Sequence, residues 1–263
     1  MTANEVVERI KKNLGIPWND RTYRDTFKVG DPGTVVTGIA TTFMATLDLI
    51  QRAHAAGMNF VISHEPTFWN DADTVKDFAD DPIYRFKVDF CTRNNMVVWR
   101  FHDHIHAHKP DLIWEGLNRA LGWQDHETTR QRGLFELPPT TLGAAAADIQ
   151  RHLKVRVLRV VGDPNAKVST AAVGMGYGMP RVSADVDVMI GGENPEAGGP
   201  LDDTEYVLDA AFFGGNKGQI ILGHAISEEP GMEDCANWLR TFVTEVPIQF
   251  IRAGEPFWSP KAG

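Results

Sequence analysis

The sequence has 263 residues, with 26 Lys+Arg against 35 Asp+Glu for a formal net charge of −9, and 43% hydrophobic residues. These are ordinary globular fractions, which exclude a fibrous or disordered chain, and the length suits one large or two small domains. The acidic balance argues against a bulk electrostatic grip on nucleic acid, and no apolar run approaches the ~18–20 residues of a membrane span. The N-terminus, MTANEVVERIKKNLG, is amphipathic and lacks the apolar stretch of a secretory signal, so a cytoplasmic protein is expected. Cys91 and Cys235 form no CxxC pair and read as reduced core thiols.

Residues 4–14 put Val6, Val7, Ile10 and Leu14 at helical spacing, with Gly15 as the stop. VVTGIAT (35–41) reads as a buried strand. A helix follows over 44–56, with Leu47, Ile50 and Ala53 on one face and Gly57 as its stop. MNFVIS (58–63) is a strand ending at His64, residues 82–95 a helix, and MVVWRF (96–101) a strand that runs into a histidine cluster. DLIWEGLNRALGW (111–123) is an amphipathic helix. Residues 125–141 are polar, carry prolines and have no period, so they read as a boundary. The expected domains are therefore 1–127 and 128–263. Beyond the boundary come a helix at 142–153, strands at 155–161 and 169–175, and a strand around 186–191. A helix at 204–213, a strand at 219–223, a helix at 231–243 and a strand at 246–251 complete the pattern. Strands separated by helices imply α/β layers with largely parallel sheets.

Three short segments at the ends of buried strands concentrate metal-capable side chains: SHEP (63–66), FHDHIHAHKPD (101–111) and GHAISEE (223–229). Open α/β sheets gather their ligands at such ends. Imidazole and carboxylate together suit Zn, Mn, Fe, Co or Ni. An HExxH site fails, because position 68 is Phe and Pro66 disfavours the helix. His102, His104, His106 and His108 alternate, so a continued strand places all four on one face. Four imidazoles there would repel when protonated, and a cation holding them neutral relieves this. His224 and Glu228, four apart, share a helix face. Gly174, Gly176 and Gly178 miss the dinucleotide fingerprint in register, and the glycine-rich stretches read as turns.

Together the segments VTGIATTFMATLDLIQRAHAAGMNFVISHEP (36–66), HDHIH (102–106), EGLNRALGW (115–123), DVDVMIGGE ending at Glu193, and GHAISE (223–228) resemble the Nif-three-like family of dinuclear-metal hexameric proteins, also known as GTP cyclohydrolase 1 type 2 homologues. The resemblance implies two α/β domains with a metal site in the cleft between them, and a toroidal homohexamer. Position by position it implies the metal ligands His64, Glu65, His102, His106, His224 and Glu228, and two divalent transition metals per chain. Glu65 stands where a second His is usual, and His106 where an Asp, often metal-bridging, is usual.

The leading functional expectation is a metal-dependent hydrolase whose site activates water on an amide, cyclic C–N or ester bond of a small molecule. Asp103 and His104 are expected to orient ligands or relay protons. Glu193 could reach the same cleft, and Phe68 and Trp69 could wall a pocket. A non-enzymatic metal-stabilised scaffold or regulatory partner is the first alternative. A nucleotide cyclohydrolase is the second, and it needs a phosphate cradle for which Lys109, Lys217 and Arg181 are scattered candidates.

Overall fold

The computed structural model describes residues 1–260. In chain order the elements are α1 (Ala3–Asn13), β1 (Phe27–Val29), β2 (Ile39–Thr42), α2 (Leu47–Ala55), β3 (Phe60–Ser63), α3 (Pro82–Arg93), β4 (Val97–Arg100), α4 (Asp103–Ala107) and α5 (Leu112–Leu121). They continue with β5 (Leu134–Thr141), α6 (Leu142–Leu153), β6 (Arg159–Gly162), β7 (Lys167–Val173), β8 (Val188–Gly191), α7 (Gly199–Phe213), β9 (Gly218–Ile221), α8 (His224–Leu239) and β10 (Ile248–Phe250).

The chain forms two compact units. The first comprises Met1–Gly116 with Glu229–Ala253, the second Leu117–Glu228 with the segment from Gly254. Each is built on a five-stranded sheet, ordered β1-β4-β3-β2-β10 in the first and β5-β7-β8-β9-β6 in the second. In the first sheet β4, β3, β2 and β10 are parallel and only β1 is antiparallel. In the second, β7, β8 and β9 are parallel, while β5 and β6 run antiparallel at the two edges. The α/β class expected from the alternation of elements is the class observed.

The strands that matter for the site are short, apolar and covered on both faces. Every residue of β2, β3 and β4 is buried, as parallel strands between helical layers require. Leu49, Ile50 and Ala53 of α2 pack with Ala40, Val61 and Val98 of these strands and with Cys91 of α3. Each fully buried Leu or Ile contributes roughly 1.5–3 kcal/mol. Side-chain caps set the helix starts: Thr2 and Glu5 form a capping box on α1, Thr46 caps α2, and Asp81 with the following proline starts α3.

Several segments differ from the expectation, among them β1, which no expected element covered, and α7, which starts five residues early at Gly199. Residues 134–141 form β5 instead of a linker; Pro138 and Pro139 fall on an edge strand at a register shift between Glu136 and Thr140, where missing N–H donors cost least. The strand expected at 155–161 begins only at Arg159. The last helix starts at His224, seven residues early, with Pro230 inside it. The histidine run 102–108 is not a strand: residues 103–107 are the helical turn α4.

Candidate metal centre

β3 and β4 pair in parallel with Ser63 opposite Arg100, so the residues that follow them leave the sheet side by side. After β3 the chain keeps to β2 for two more residues: His64 N–H donates to Thr42 O at 3.0 Å and Glu65 N–H to Phe43 O at 2.8 Å. These bonds hold His64 rigidly inside the unit, where it is fully buried.

After β4 the turn of α4 is set by a carboxylate far upstream. Asp25, itself buried, accepts the main-chain N–H groups of His102 (2.5 Å), Asp103 (3.0 Å) and His104 (2.9 Å). Three consecutive N–H groups gathered on one acid form a helix N-terminus, the arrangement an acidic cap favours. Helical spacing then replaces strand alternation: His102 and His106 come to one side, and His104 goes to the other. The His104 ring stacks on Trp18 with centroids 3.7 Å apart, its Nδ1 meets Asp25, and its Nε2 accepts the Asn19 N–H at 2.9 Å. Both nitrogens of His104 are thus engaged in holding the turn. His108 lies beyond it, with Nδ1 on Pro110 O at 2.6 Å.

His64, His102 and His106 come together. One ring nitrogen from each lies within 4.8 Å of the others, and the ring centroids are 4.6, 5.0 and 5.1 Å apart. Each ring meets an acceptor on its Nδ1 side: His64 with Phe101 O at 3.2 Å, His102 with Asp103 Oδ1 at 3.1 Å, and His106 with Asp111 Oδ2 at 3.4 Å. A carbonyl or carboxylate only accepts, so each Nδ1 donates, and in a neutral imidazole the lone pair then lies on Nε2. An oxygen acceptor on the far nitrogen is the support that metal-binding histidines ordinarily have. Burial and the nearby His64 ring push the His102 pKa down to about 4, so that ring is neutral at physiological pH. Three imidazoles brought together in this way are ligands of the type a divalent transition metal takes.

Around the cluster lie fixed charges. Burial works against ionisation of Asp103, but hydrogen bonds from Thr22, His102 and Arg24 outweigh it and keep the carboxyl below its usual range. Glu65 Oε2 is 3.2 Å from Arg100 Nη2, and Glu65 Oε1 is 4.0 Å from His102 Nε2. The Arg100 side chain is only 1% exposed. Its remaining bonds run to His64 O (3.1 Å), Asp71 O (2.6 Å) and Asp71 Oδ1 (3.0 Å). Asp71 in turn bonds Arg24, which holds the Asp71 carboxyl far below the usual range, and accepts from Tyr23.

In the second unit, β9 leads directly into α8, and His224 Nε2 lies 2.9 Å from Glu228 Oε2 one turn on. Glu193, in the turn after β8, accepts the His224 N–H at 3.3 Å and pairs with Arg159 at 3.3 Å. Gly176 approaches so closely that a Cβ there would overlap Glu228 Oε1. Its N–H donates to Ser227 Oγ at 2.9 Å. Tyr177, 85% exposed, sets its ring 4.7 Å from that of His224. A pocket of about 330 Å³ adjoins this corner, lined mainly by Val157, Ile221, Ile226 and Phe257, with Arg159, Glu193 and Glu255 as charged groups. That is the lower end of the range for small-molecule sites.

Of the other sequence candidates, Phe68 is buried beside Trp69, with the Lys87 ammonium near both rings. Lys217 donates to three carbonyls (Ser183, Ala184 and Val186) and Arg181 pairs with Asp203, so these two cations serve the fold. Sequence reasoning missed Asp25, Arg100 and Asp111. Asp111 carries a local signal: as well as meeting His106 it caps α5, accepting from Ile113 N at 3.0 Å. Asp25 and Arg100 carry none.

The sequence matches the family model described as Duf34/NIF3 (NGG1p interacting factor 3) over residues 1–256. Among solved structures, SA1388 of Staphylococcus aureus is 17% identical, with 99% of each chain covered and a TM-score of 0.71. A Bacillus cereus protein related to NIF3 is 14% identical, again with 99% of each chain covered and a TM-score of 0.71. TTHA1606 from Thermus thermophilus is 18% identical over 98% of this chain and 100% of that one, with a TM-score of 0.65. At these identities the likeness speaks for the fold alone. None of the curated proteins matches the sequence.

Proposed function

This chain belongs to the Duf34/NIF3 family, and from that premise we propose that it is a metal-dependent hydrolase acting on an amide, cyclic C–N or ester bond of a small molecule. The observation that carries the reading is the trio His64, His102 and His106, gathered within 4.8 Å and each supported on its Nδ1 side. A divalent transition cation bound there (Zn, Fe, Mn, Co or Ni) supplies Lewis acidity toward water and toward a substrate oxygen. Asp103 keeps the His102 ring in the orientation that offers Nε2. Glu65, whose Oε2 meets Arg100 at 3.2 Å and whose Oε1 lies 4.0 Å from His102 Nε2, is the carboxylate that would take a proton from water beside the cation. His224 and Glu228 are assigned to the same ligand set by the family resemblance. The resemblance also implies a second cation per chain.

The mainly apolar pocket beside Glu193 favours a substrate with an aliphatic or aromatic portion over a bare polyphosphate. The commitment of Lys217 and Arg181 to internal partners weighs in the same direction, against a nucleotide. The homohexamer implied by the resemblance draws support from large apolar side chains exposed on α7, Phe212 and Phe213 foremost. Among the described residues no helix is long and apolar enough to cross a membrane.

The test pairs metal analysis of the purified chain with a turnover screen of amides, lactams, esters and nucleotides. Metal-loaded protein, chelated protein and His64→Ala are compared. Turnover confined to the loaded protein supports the hydrolase. Tight metal binding without turnover of any class moves the assignment to a metal-stabilised scaffold, and a chain that takes up no metal overturns the centre itself.

A further inference from the structure

Tyr177 belongs to a corner of the second unit to which the proposed reaction gives no part. It follows Gly176 in the loop after β7, is 85% exposed, and sets its ring 4.7 Å from that of His224 at a tilt of 55°. A single exposed aromatic side chain is ordinary. What sets this one apart is the stiffness of the backbone that carries it.

Four hydrogen bonds pin the loop. Gly174 N–H donates to Ile190 O at 2.8 Å and Gly178 N–H to Met175 O at 2.7 Å, while Gly178 O accepts the Gly192 N–H at 3.0 Å. Gly176 N–H donates to Ser227 Oγ at 2.9 Å, which ties the loop to α8 one residue before Glu228. A Cβ on Gly192 would overlap Gly176 O, so the end of β8 presses directly against the loop. These contacts fix the Tyr177 backbone, and a tyrosine side chain has only two torsions to lose, so the ring is held ready for a ligand at little entropic cost.

The imidazole under it is held as well. His224 Nε2 lies 2.9 Å from Glu228 Oε2, and the His224 N–H meets Glu193 Oε1 at 3.3 Å. Gly223 and Ala225, the neighbours of His224 in the chain, both line the mainly apolar pocket, which therefore opens at the same turn. A phenol ring attracts a flat unsaturated ring stacked on it with centroids ~4.5–7 Å apart, and a puckered saturated ring forfeits that attraction.

Resting on the reading of the protein as a hydrolase with His224 among its ligands, we infer that Tyr177 is a specificity-determining residue, which stacks the planar unsaturated ring of a substrate beside His224. The substrate class is thereby narrowed to amides and cyclic C–N compounds that carry such a ring, in preference to saturated lactams and aliphatic esters. The face of the phenol does this work, and its hydroxyl is dispensable.

The experiment uses the full chain with isotope-labelled tyrosine rings, freed of metal by chelation, so that binding is read apart from turnover. The chain has four tyrosines, and Tyr177→Phe identifies the Tyr177 signals by their disappearance. Two probes are titrated by NMR: carbostyril, a planar aromatic lactam, and its perhydro form, the same skeleton fully saturated. Carbostyril is expected to shift the Tyr177 signals by its ring current and to bind about 3–10-fold more tightly than the saturated lactam. Tyr177→Phe is expected to keep that preference, read from the probe's own signals, and Tyr177→Ala to abolish it, with sedimentation unchanged in both. Equal or absent binding of the two lactams, Tyr177 signals that stay in place, or a Tyr177→Ala chain that keeps the preference overturns the inference. So does a Tyr177→Ala chain whose assembly changes, since the ring is then a subunit contact. Failure of the hydrolase reading looks different: the ring preference persists in a chain whose metal-loaded form hydrolyses nothing, which leaves the stacking site standing.

Discussion

Asp25 accepts the main-chain N–H of His102 at 2.5 Å, and the same carboxylate gathers the N–H groups of Asp103 and His104. This is the contact that converts an alternating histidine run into a helical turn and brings His102 and His106 round to His64. The Asp25→Asn amide retains one acceptor oxygen and turns an NH2 group toward main-chain donors. Its expected cost is about 2–4 kcal/mol of stability, because buried donors are left without partners. Metal affinity is expected to fall by roughly 10–100-fold as the two imidazoles lose their placement. Thermal unfolding of the metal-free chain and competition for Zn²⁺ against a chromogenic chelator measure the two effects. Unchanged affinity in a destabilised variant would show that Asp25 supports the fold without setting the centre.

Asp103 bears on the same ring from another direction. Its Oδ1 lies 3.1 Å from His102 Nδ1, while Thr22 and Arg24 hold the carboxylate in place. Asp103→Asn keeps the shape but replaces an ionised acceptor with a neutral amide. The expectation is a roughly 10–100-fold loss of metal affinity with a change in melting temperature of only a few degrees. Chelator competition at constant pH checks it, and an affinity equal to wild type would remove Asp103 from any role at the centre.

Much of the first unit is legible in its sequence because its signals are local. Apolar runs such as Phe60–Ser63 and Val97–Arg100 sit between amphipathic helices, and His64 and His102 mark where those strands stop. What escapes is decided at long range. A period-2 histidine run satisfies a strand pattern, and only Asp25, 77 residues before His102, makes it a helix. β10 pairs with β2 in the first sheet although the two strands lie at opposite ends of the chain, and nothing in its own residues chooses that neighbour. Arg100 reads as the polar end of a strand, yet its side chain is almost wholly enclosed beside the histidines. β5 hides behind two prolines that an interior strand would not tolerate.

Gly176 offers a control on the His224–Glu228 corner. Its φ of +59° lies in the left-handed region, and a Cβ would overlap Glu228 Oε1. Gly15, with φ of +75°, has nothing within 4 Å of its virtual Cβ. Gly15→Ala is thus expected to show backbone strain alone, about 1–2 kcal/mol. Gly176→Ala is expected to show that strain plus displacement of Glu228, with a total nearer ~3 kcal/mol. Chemical denaturation of both variants gives the difference. Equal losses would mean that Glu228 moves aside freely.

Lys87 carries a pH signature away from the centre. Burial lowers its pKa from 10.5 to about 8, and its Nζ donates to Thr67 O at 2.5 Å. Below pH 8 both folded and unfolded chains hold the proton, so the folded state bears the whole cost of a buried charge. Between about 8 and 10.5 the unfolded chain keeps a proton that the folded chain has lost, so stability rises with pH. Above 10.5 neither holds it and the cost is gone. The span corresponds to about 3 kcal/mol at most. Lys87→Met is therefore expected to be more stable than wild type at pH 7 by ~1–2 kcal/mol, after loss of the Thr67 bond. That advantage should shrink as pH approaches 10. Paired urea titrations from pH 7 to 10 isolate the effect from other titrating groups, and a pH-independent gap would contradict it.

The outer face of α7 bears on assembly. Val207 is buried on this helix, while Leu208 is 56% exposed, Phe212 96% and Phe213 91%. Leu208 and Phe212, four residues apart, share one face, and Leu201, 45% exposed, extends it two turns back. A single exposed apolar residue is ordinary, but a row of them is the kind of surface that a binding partner covers, and the implied assembly predicts a second copy of this chain there. Each phenylalanine sealed against a neighbour is worth roughly 1.5–3 kcal/mol in association. Replacing both Phe212 and Phe213 with Glu adds the cost of enclosing two unpaired charges. The expected outcome in sedimentation velocity is a large wild-type species that the double variant reduces to smaller ones at micromolar concentration, with circular dichroism unchanged. A wild-type monomer, or an assembly indifferent to both substitutions, would place the subunit contacts elsewhere.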